Sequence, residues 1–195
     1  MSLPLTTGNQ QTQKRIDSDY YVEGYATTFN RPYMMFEIDG IKYYEVIDRH
    51  ALDQADLSDV IMQFNHEGMV FARNKMAKNK PPSLLLEVQE SGLFVAADLG
   101  LTEDARRLHQ SIDSGLVHKM SWAFVVEEDA YNQATHTRTI LKIKKVYDVS
   151  AVSIPANGDT DISARSFFDG VIEKEKREAL KREIEILKLK MNLEV

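Results

Sequence analysis

The chain contains no cysteine. That excludes a disulfide framework, a zinc–thiolate centre and a cysteine nucleophile. No apolar run approaches the ~18 residues a membrane-spanning helix needs. The stretch from Met1 to Arg15 is polar and lacks the apolar core of a secretory signal. Positive charge is in deficit: 24 Lys and Arg stand against 30 Asp and Glu, for a net charge of −6. Binding to nucleic acid through phosphate contacts is therefore not expected. There is no glycine-rich phosphate loop. His66-Glu67 and the pair His109 and His118 lack the spacing of a zinc or iron site. The expectation is a soluble intracellular protein with no membrane or nucleic-acid partner and no cofactor or metal.

What is present is a chain of 195 residues with 43% hydrophobic content, enough for one packed domain plus an appendage. Residues 1–17 are rich in Thr, Gln, Asn and Ser and are expected to form a flexible arm. From Tyr20 to Phe29 the residues are β-branched, aromatic or small, as in a strand. Asp39-Gly40 lies between two apolar runs, the pattern of a tight hairpin. Asp48 can cap a short helix reaching about Ala55. Val60–Phe64 is a short apolar strand, and Ser83–Val88 and Leu93–Leu99 form a second hairpin. Thr102 caps a helix with Glu103 and Asp104 in its first turn and Gly115 at its end. Met120–Glu127 and Thr137–Val146 are strands, and Val149–Ile154 extends the second or begins another. A body of residues 18–165, mainly β with flanking helices (an α+β class), is expected to close into a small β-barrel.

The tail, residues 166–195, differs in kind. It is rich in Glu and Lys and has neither proline nor any glycine after Gly170. Leu180, Ile184, Leu187 and Met191 form a narrow apolar stripe, and Glu173–Arg177 and Glu178–Arg182 are favourable pairs one turn apart. This is an amphipathic helix that needs a partner for its stripe.

Three short stretches carry candidate chemistry. His66 follows Val60–Asn65, Ser121 opens Ser121–Val126, and Asp148 interrupts the apolar run Val146–Val152. An imidazole, a hydroxyl and a carboxylate in apolar strand sequence are the parts of a nucleophile–base–orienter triad if they converge. Ser121 shares its strand face with the small Ala123, while Trp122 and Phe124 point the other way. A buried Asp148 is costly without a partner. The bland alternatives are a structural histidine, a surface serine and an edge-strand aspartate. His50, His109, His118 and His136 lie on predicted helices, turns or polar loops and are expected to be solvated.

In order along the chain, Gly24-Tyr25-Ala26-Thr27-Thr28-Phe29, Asn65-His66, the helix ending in glycine, Ser121-Trp122-Ala123-Phe124 and Asp148-Val149-Ser150-Ala151-Val152-Ser153-Ile154-Pro155-Ala156 resemble the prohead (capsid maturation) protease family of tailed bacteriophages. The resemblance spans about residues 20–165. It implies a barrel similar to herpesvirus assemblin, with Ser121 as nucleophile and His66 as base. Ala123 stands where the family often has Gly, and Asp148 where Glu is usual. The implied activity is a serine endopeptidase, possessing an oxyanion hole that no motif here identifies. The implied partners are the major capsid protein or a scaffold protein, with self-cleavage; the apolar stripe of the tail helix offers a surface for self-association. The implied location is the host cytoplasm, inside the assembling prohead. The competing class is a non-enzymatic scaffold whose tail helix docks on capsid subunits; a stand-alone binding barrel is the third.

Overall fold

Asp39 and Gly40 have φ of 53° and 79°, the left-handed pair a two-residue hairpin turn requires. They join strand β2 (Tyr33–Ile38) to β3 (Ile41–Ile47), as the sequence predicts. Strand β1 (Tyr21–Thr28) precedes this hairpin. Strands β4 (Ile61–Phe64) and β5 (Glu67–Arg73) follow it, then β6 (Leu84–Gln89) and β7 (Gly92–Asp98). Gly92 opens β7 because a Cβ there would lie 2.0 Å from the Thr27 carbonyl oxygen on the neighbouring β1. Helix α1 (Glu103–Asp113) starts at Thr102, whose hydroxyl accepts from the Ala105 N–H at 3.2 Å. Its buried residues Ala105, Leu108 and Ile112 recur at helical spacing. Strands β8 (Lys119–Asn132) and β9 (Thr137–Val152) form one long antiparallel pair. The tail is helix α2 (Ile162–Leu193).

The structure is a computed structural model and describes residues 5–7, 14–153 and 162–193. It divides into two compact units, residues 1–157 and 158–195. In the second unit α2 begins at Ile162, ahead of the tail expected from residue 166, and runs through Gly170. Leu180 and Ile184 of its apolar stripe are exposed, as is Ile186.

The first unit contains two sheets. One has the order β1-β7-β6; the other has the order β2-β3-β9-β4-β5, with β8 paired to β9. Along one edge β9 is paired with β8 from Lys119 to Asn132. The other edge is shared. Tyr44–Ile47 of β3 run parallel to Thr137–Ile140, and Ile61–Phe64 of β4 run parallel to Asp148–Ala151. Between them, Ile143 N–H donates to the Ala51 carbonyl, Asp56 N–H to the Lys144 carbonyl, and Val146 N–H to the Asp56 carbonyl. This overturns the helix expected over Asp48–Ala55. The segment forms successive tight turns instead, with Ala51 N–H on Asp48 O, Asp53 N–H on His50 O and Ala55 N–H on Leu52 O. Its end points are claimed by β9, so tertiary bonding overrides local propensity. Asp56 is fastened there, its carboxyl held well below the usual carboxylate range by hydrogen bonds from Ser58 and by Lys145 of β9.

The expected closed barrel is corrected by the structure: the sheets do not close into one. Isolated hydrogen bonds connect them instead. Ser83 N–H donates to Arg73 O at the β5 side, and Asn30 N–H to Ile47 O beyond β1. Leu5 and Thr6 provide the third link: Leu5 N–H donates to His118 O, and Thr6 exchanges two main-chain bonds with Glu23. A Cβ on Gly24 of β1 would lie 3.1 Å from both Leu5 Cα and Met120 Sδ. Leu5, 2% exposed, thus occupies the place where a closing ladder between β1 and β8 would run. Val22, Met62, Leu93, Val95, Ile140, Ile143 and Val149 form the core. Strand β5 escaped the sequence reading because only Ala72 of its residues is buried, so it lacks the alternation of a half-buried strand.

Glu45 and Arg138 are cross-strand partners buried at 2% and 5% exposure. Arg138 Nη1 lies 3.4 Å from Glu45 Oε2, and its Nε donates to Asp129 Oδ2 at 2.5 Å. The Tyr33 hydroxyl donates to the other Glu45 oxygen. Arg138→Met removes the cation beside a buried carboxylate and should cost about 3–5 kcal/mol. The check is a lowered urea midpoint with an unchanged m-value; Glu45→Gln in the same chain should recover part of the loss.

Candidate active site

The site begins with an extra residue in β9. Ala123 pairs with Asp148 but Phe124 pairs with Val146, so Tyr147 is a bulge. Strand side chains alternate, so without the bulge Val146 and Asp148 would share a face. With it, Val146 packs in the core at 0% exposure while Asp148 joins Ser150 on the face opposite the core residues Val149 and Ala151. Ser121 of β8 lies directly across from Ser150, and Ala123 across from Asp148. Directly opposite residues have Cβ atoms about 4.5–5.5 Å apart. Gln63 and Ile61 of β4 flank the same two positions from the other side.

His66 does not end a strand, as the sequence reading had it, but sits in the turn between β4 and β5. Asn65 and His66 have φ of 53° and 60°, the signature of another two-residue hairpin turn. Histidine tolerates this region better than most residues but at a cost of about 1–2 kcal/mol. The turn is pinned to the end of β9. Asn65 N–H donates to Ala151 O at 3.0 Å, Asn65 Nδ2 donates to Ser153 Oγ at 3.4 Å, and Ser153 N–H donates to Asn65 Oδ1 at 3.0 Å. The imidazole then folds back over β9, with Nδ1 2.7 Å from Asp148 Oδ1. The same carboxylate oxygen accepts the Ser150 hydroxyl at 2.6 Å. The Asp148 side chain is 9% exposed and that of His66 26%. The buried acid thus has the two donors it needs.

Of the three candidates, His66 and Asp148 are in direct contact, and Ser121 stands across the strand from the residue that bonds Asp148. Ser121 is buried at 8% exposure. Among the described residues no hydrogen bond joins Ser121 to His66 Nε2, which leaves both groups available to a reacting partner. Ser150 was not singled out from sequence. The signal was its place two residues after Asp148, on the same strand face.

The remaining histidines are engaged elsewhere. His50 is exposed beside Asp53, and His118 Nδ1 lies 3.3 Å from Gly115 O. His109 packs edge-on against Tyr20, and His136 lies 3.1 Å from the Tyr131 hydroxyl and against Tyr43; both are half-buried rather than solvated. Trp122 and Phe124 pack on each other and on the core, not on the site. A groove of about 520 Å³ opens between the β4–β5 turn and α1. Phe64, Met69, Phe71, Leu108 and Val117 make its walls apolar, and Asn65 and Glu67, the neighbours of His66, line it too. Among the described residues no cluster of three or more His, Cys, Asp or Glu could hold a metal, and no helix is long and apolar enough to cross a membrane.

A family model described as caudovirus prohead serine protease matches residues 9–183 of the 195. No curated protein and no solved structure matches the chain.

The contact with Asp148 dictates a tautomer. The neutral His66 ring should carry its proton on Nδ1, where the carboxylate accepts it, and not on Nε2 as free histidine prefers. The ¹⁵N shifts of the ring test this, and Asp148→Ala should return the proton to Nε2. An Nε2–H ring in the unaltered protein would be incompatible with the contact.

Proposed function

The chain belongs to the caudovirus prohead serine protease family, and from that premise we propose that Ser121 is its nucleophile, His66 the general base and Asp148 the acid that orients the base. Membership implies a serine peptidase of capsid maturation, acting on capsid or scaffold proteins within the assembling prohead in the host. The observation that carries the residue assignment is the 2.7 Å bond between His66 Nδ1 and Asp148 Oδ1. It directs Nε2 away from the carboxylate, as a base for a serine requires.

The chemistry follows from that arrangement. His66 Nε2 takes the proton of Ser121 Oγ as the oxygen attacks a peptide carbonyl. Asp148, itself remaining ionised, stabilises the imidazolium that forms. The imidazolium then protonates the leaving amine, and the acyl-enzyme remains on Ser121. Water, deprotonated by His66, releases the acyl group and restores the enzyme. Ser121 Oγ and His66 Nε2 come into hydrogen bond when substrate fills the site, since catalytic hydrogen bonds commonly reach their geometry only in the complex. The substrate is a scaffold protein or a scaffold-like extension of the major capsid protein, and the enzyme also cleaves itself. Residues 166–195 serve as a docking and processing segment. Exposure of Leu180, Ile184 and Ile186 along α2 supports that role, since an apolar stripe left in solvent is available to a partner.

Ser121→Ala and His66→Ala should each lower kcat by about 10⁶-fold, and Asp148→Asn by about 10⁴-fold. Co-expression with the capsid precursor, followed by intact-mass measurement of both chains, reads the loss. Processing by the Ser121→Ala form at a comparable rate would remove Ser121 as nucleophile, whereas no processing by the unaltered chain would favour a scaffold without catalytic function. Truncation after Arg165 should leave a folded, peptide-cleaving body that enters proheads poorly; circular dichroism, peptide cleavage and the protease content of purified proheads check it.

A further inference from the structure

We propose that Ser150 is a positioning residue of the catalytic site: its hydroxyl fixes the Asp148 carboxylate in the place from which it orients His66. The inference rests on the assignment of Asp148 above. Ser150 is 0% exposed, so its hydroxyl is cut off from bulk water and needs a buried acceptor. That acceptor is Asp148 Oδ1, 2.6 Å away, the oxygen that also meets His66 Nδ1. A short O–H donor to a carboxylate is among the stronger neutral-to-charged bonds.

Asp148 has reason to need such a tether. Two torsions set where its carboxylate lies, and the imidazole reaches it from a turn rather than from a facing strand. The base stands on a turn at positive φ, so the acid, on a strand paired along both edges, is the partner whose place a tether can fix. Ser150 sits where it can fix it. It is two residues from Asp148 on the same strand face, directly across from Ser121 and beside Gln63. One buried hydroxyl therefore stands next to the proposed nucleophile and holds the third member of the triad, without itself touching substrate.

The test compares Ser150→Ala, Ser150→Cys and Ser150→Thr on a capsid-derived peptide. Cysteine keeps the side-chain shape with a slightly larger atom but is a weak donor, and alanine removes the donor without adding bulk, so a loss shared by both reports on hydrogen bonding rather than packing; threonine keeps the hydroxyl. Ser150→Ala and Ser150→Cys should lower kcat by about tenfold to a hundredfold, the worth of one hydrogen bond to a charged group, with KM within about twofold. Ser150→Thr should retain most of the rate. In an Asp148→Ala background the Ser150→Cys change should cost less than about twofold, because the residue acts through the carboxylate. Full activity of Ser150→Cys, or the same fractional loss with and without Asp148, would overturn the proposal. A second reading does not depend on turnover. In the inactive Ser121→Ala protein the low-field Nδ1–H proton resonance of His66 should move or broaden on Ser150→Cys, and an unchanged resonance counts against the tether. If Ser121 proves not to be the nucleophile, that resonance still reports on Ser150, so the two failures are told apart.

Discussion

The first unit is organised by the need to satisfy both backbone edges of one long strand. β9 extends from Thr137 to Val152 with Ile140, Ile143, Val146, Val149 and Ala151 in the core. Unpaired amides buried there would each cost about as much as a lost hydrogen bond. β8 answers along one edge, while β3, the turns from Asp48 to Asp56 and β4 divide the other. Segments far apart in the chain are thereby set side by side. The site is a by-product of that arrangement: β4 must end beside the Asp148–Ala151 stretch, so the turn that follows it hangs over Asp148.

Within this frame two local departures from regularity bring His66 and Asp148 into contact. The bulge at Tyr147 turns Asp148 away from the core, and the positive φ of His66 turns the imidazole back toward the acid. Both are costs to the fold. A buried carboxylate and a left-handed histidine are each unfavourable alone. Together they are offset, because the acid receives two short hydrogen bonds and the turn is held by Asn65 on β9.

The open seam between β1 and β8 has its own logic. Gly24 has no side chain, and Leu5 and Met120 come together over it. A segment with the composition of a loose arm supplies one of the most buried side chains of the unit, Leu5. Composition describes how a stretch would behave alone and does not register a single apolar residue that meets a complementary gap.

Much was legible in the sequence because it is written locally. The Asp39-Gly40 hairpin, the Thr102 cap and the alternating strands depend on residues a few positions apart, and they stand where the pattern placed them. The family resemblance was equally local, in short runs such as Asn65-His66 and Ser121–Phe124. The chain could not disclose what depends on distant partners. The Asp48–Ala55 stretch became turns because β9 bonds its Asp48 amide and Ala51 carbonyl, the barrel stayed open because Leu5 entered the seam, and β5 formed on an edge where little is buried. Ser150 gained its bond to Asp148 only through the bulge, which sets which side chains share a face. Propensity and patterning act over one turn or one hairpin, whereas register and bulges are decided by pairing between segments far apart in the chain, and it was pairing that brought His66 to Asp148.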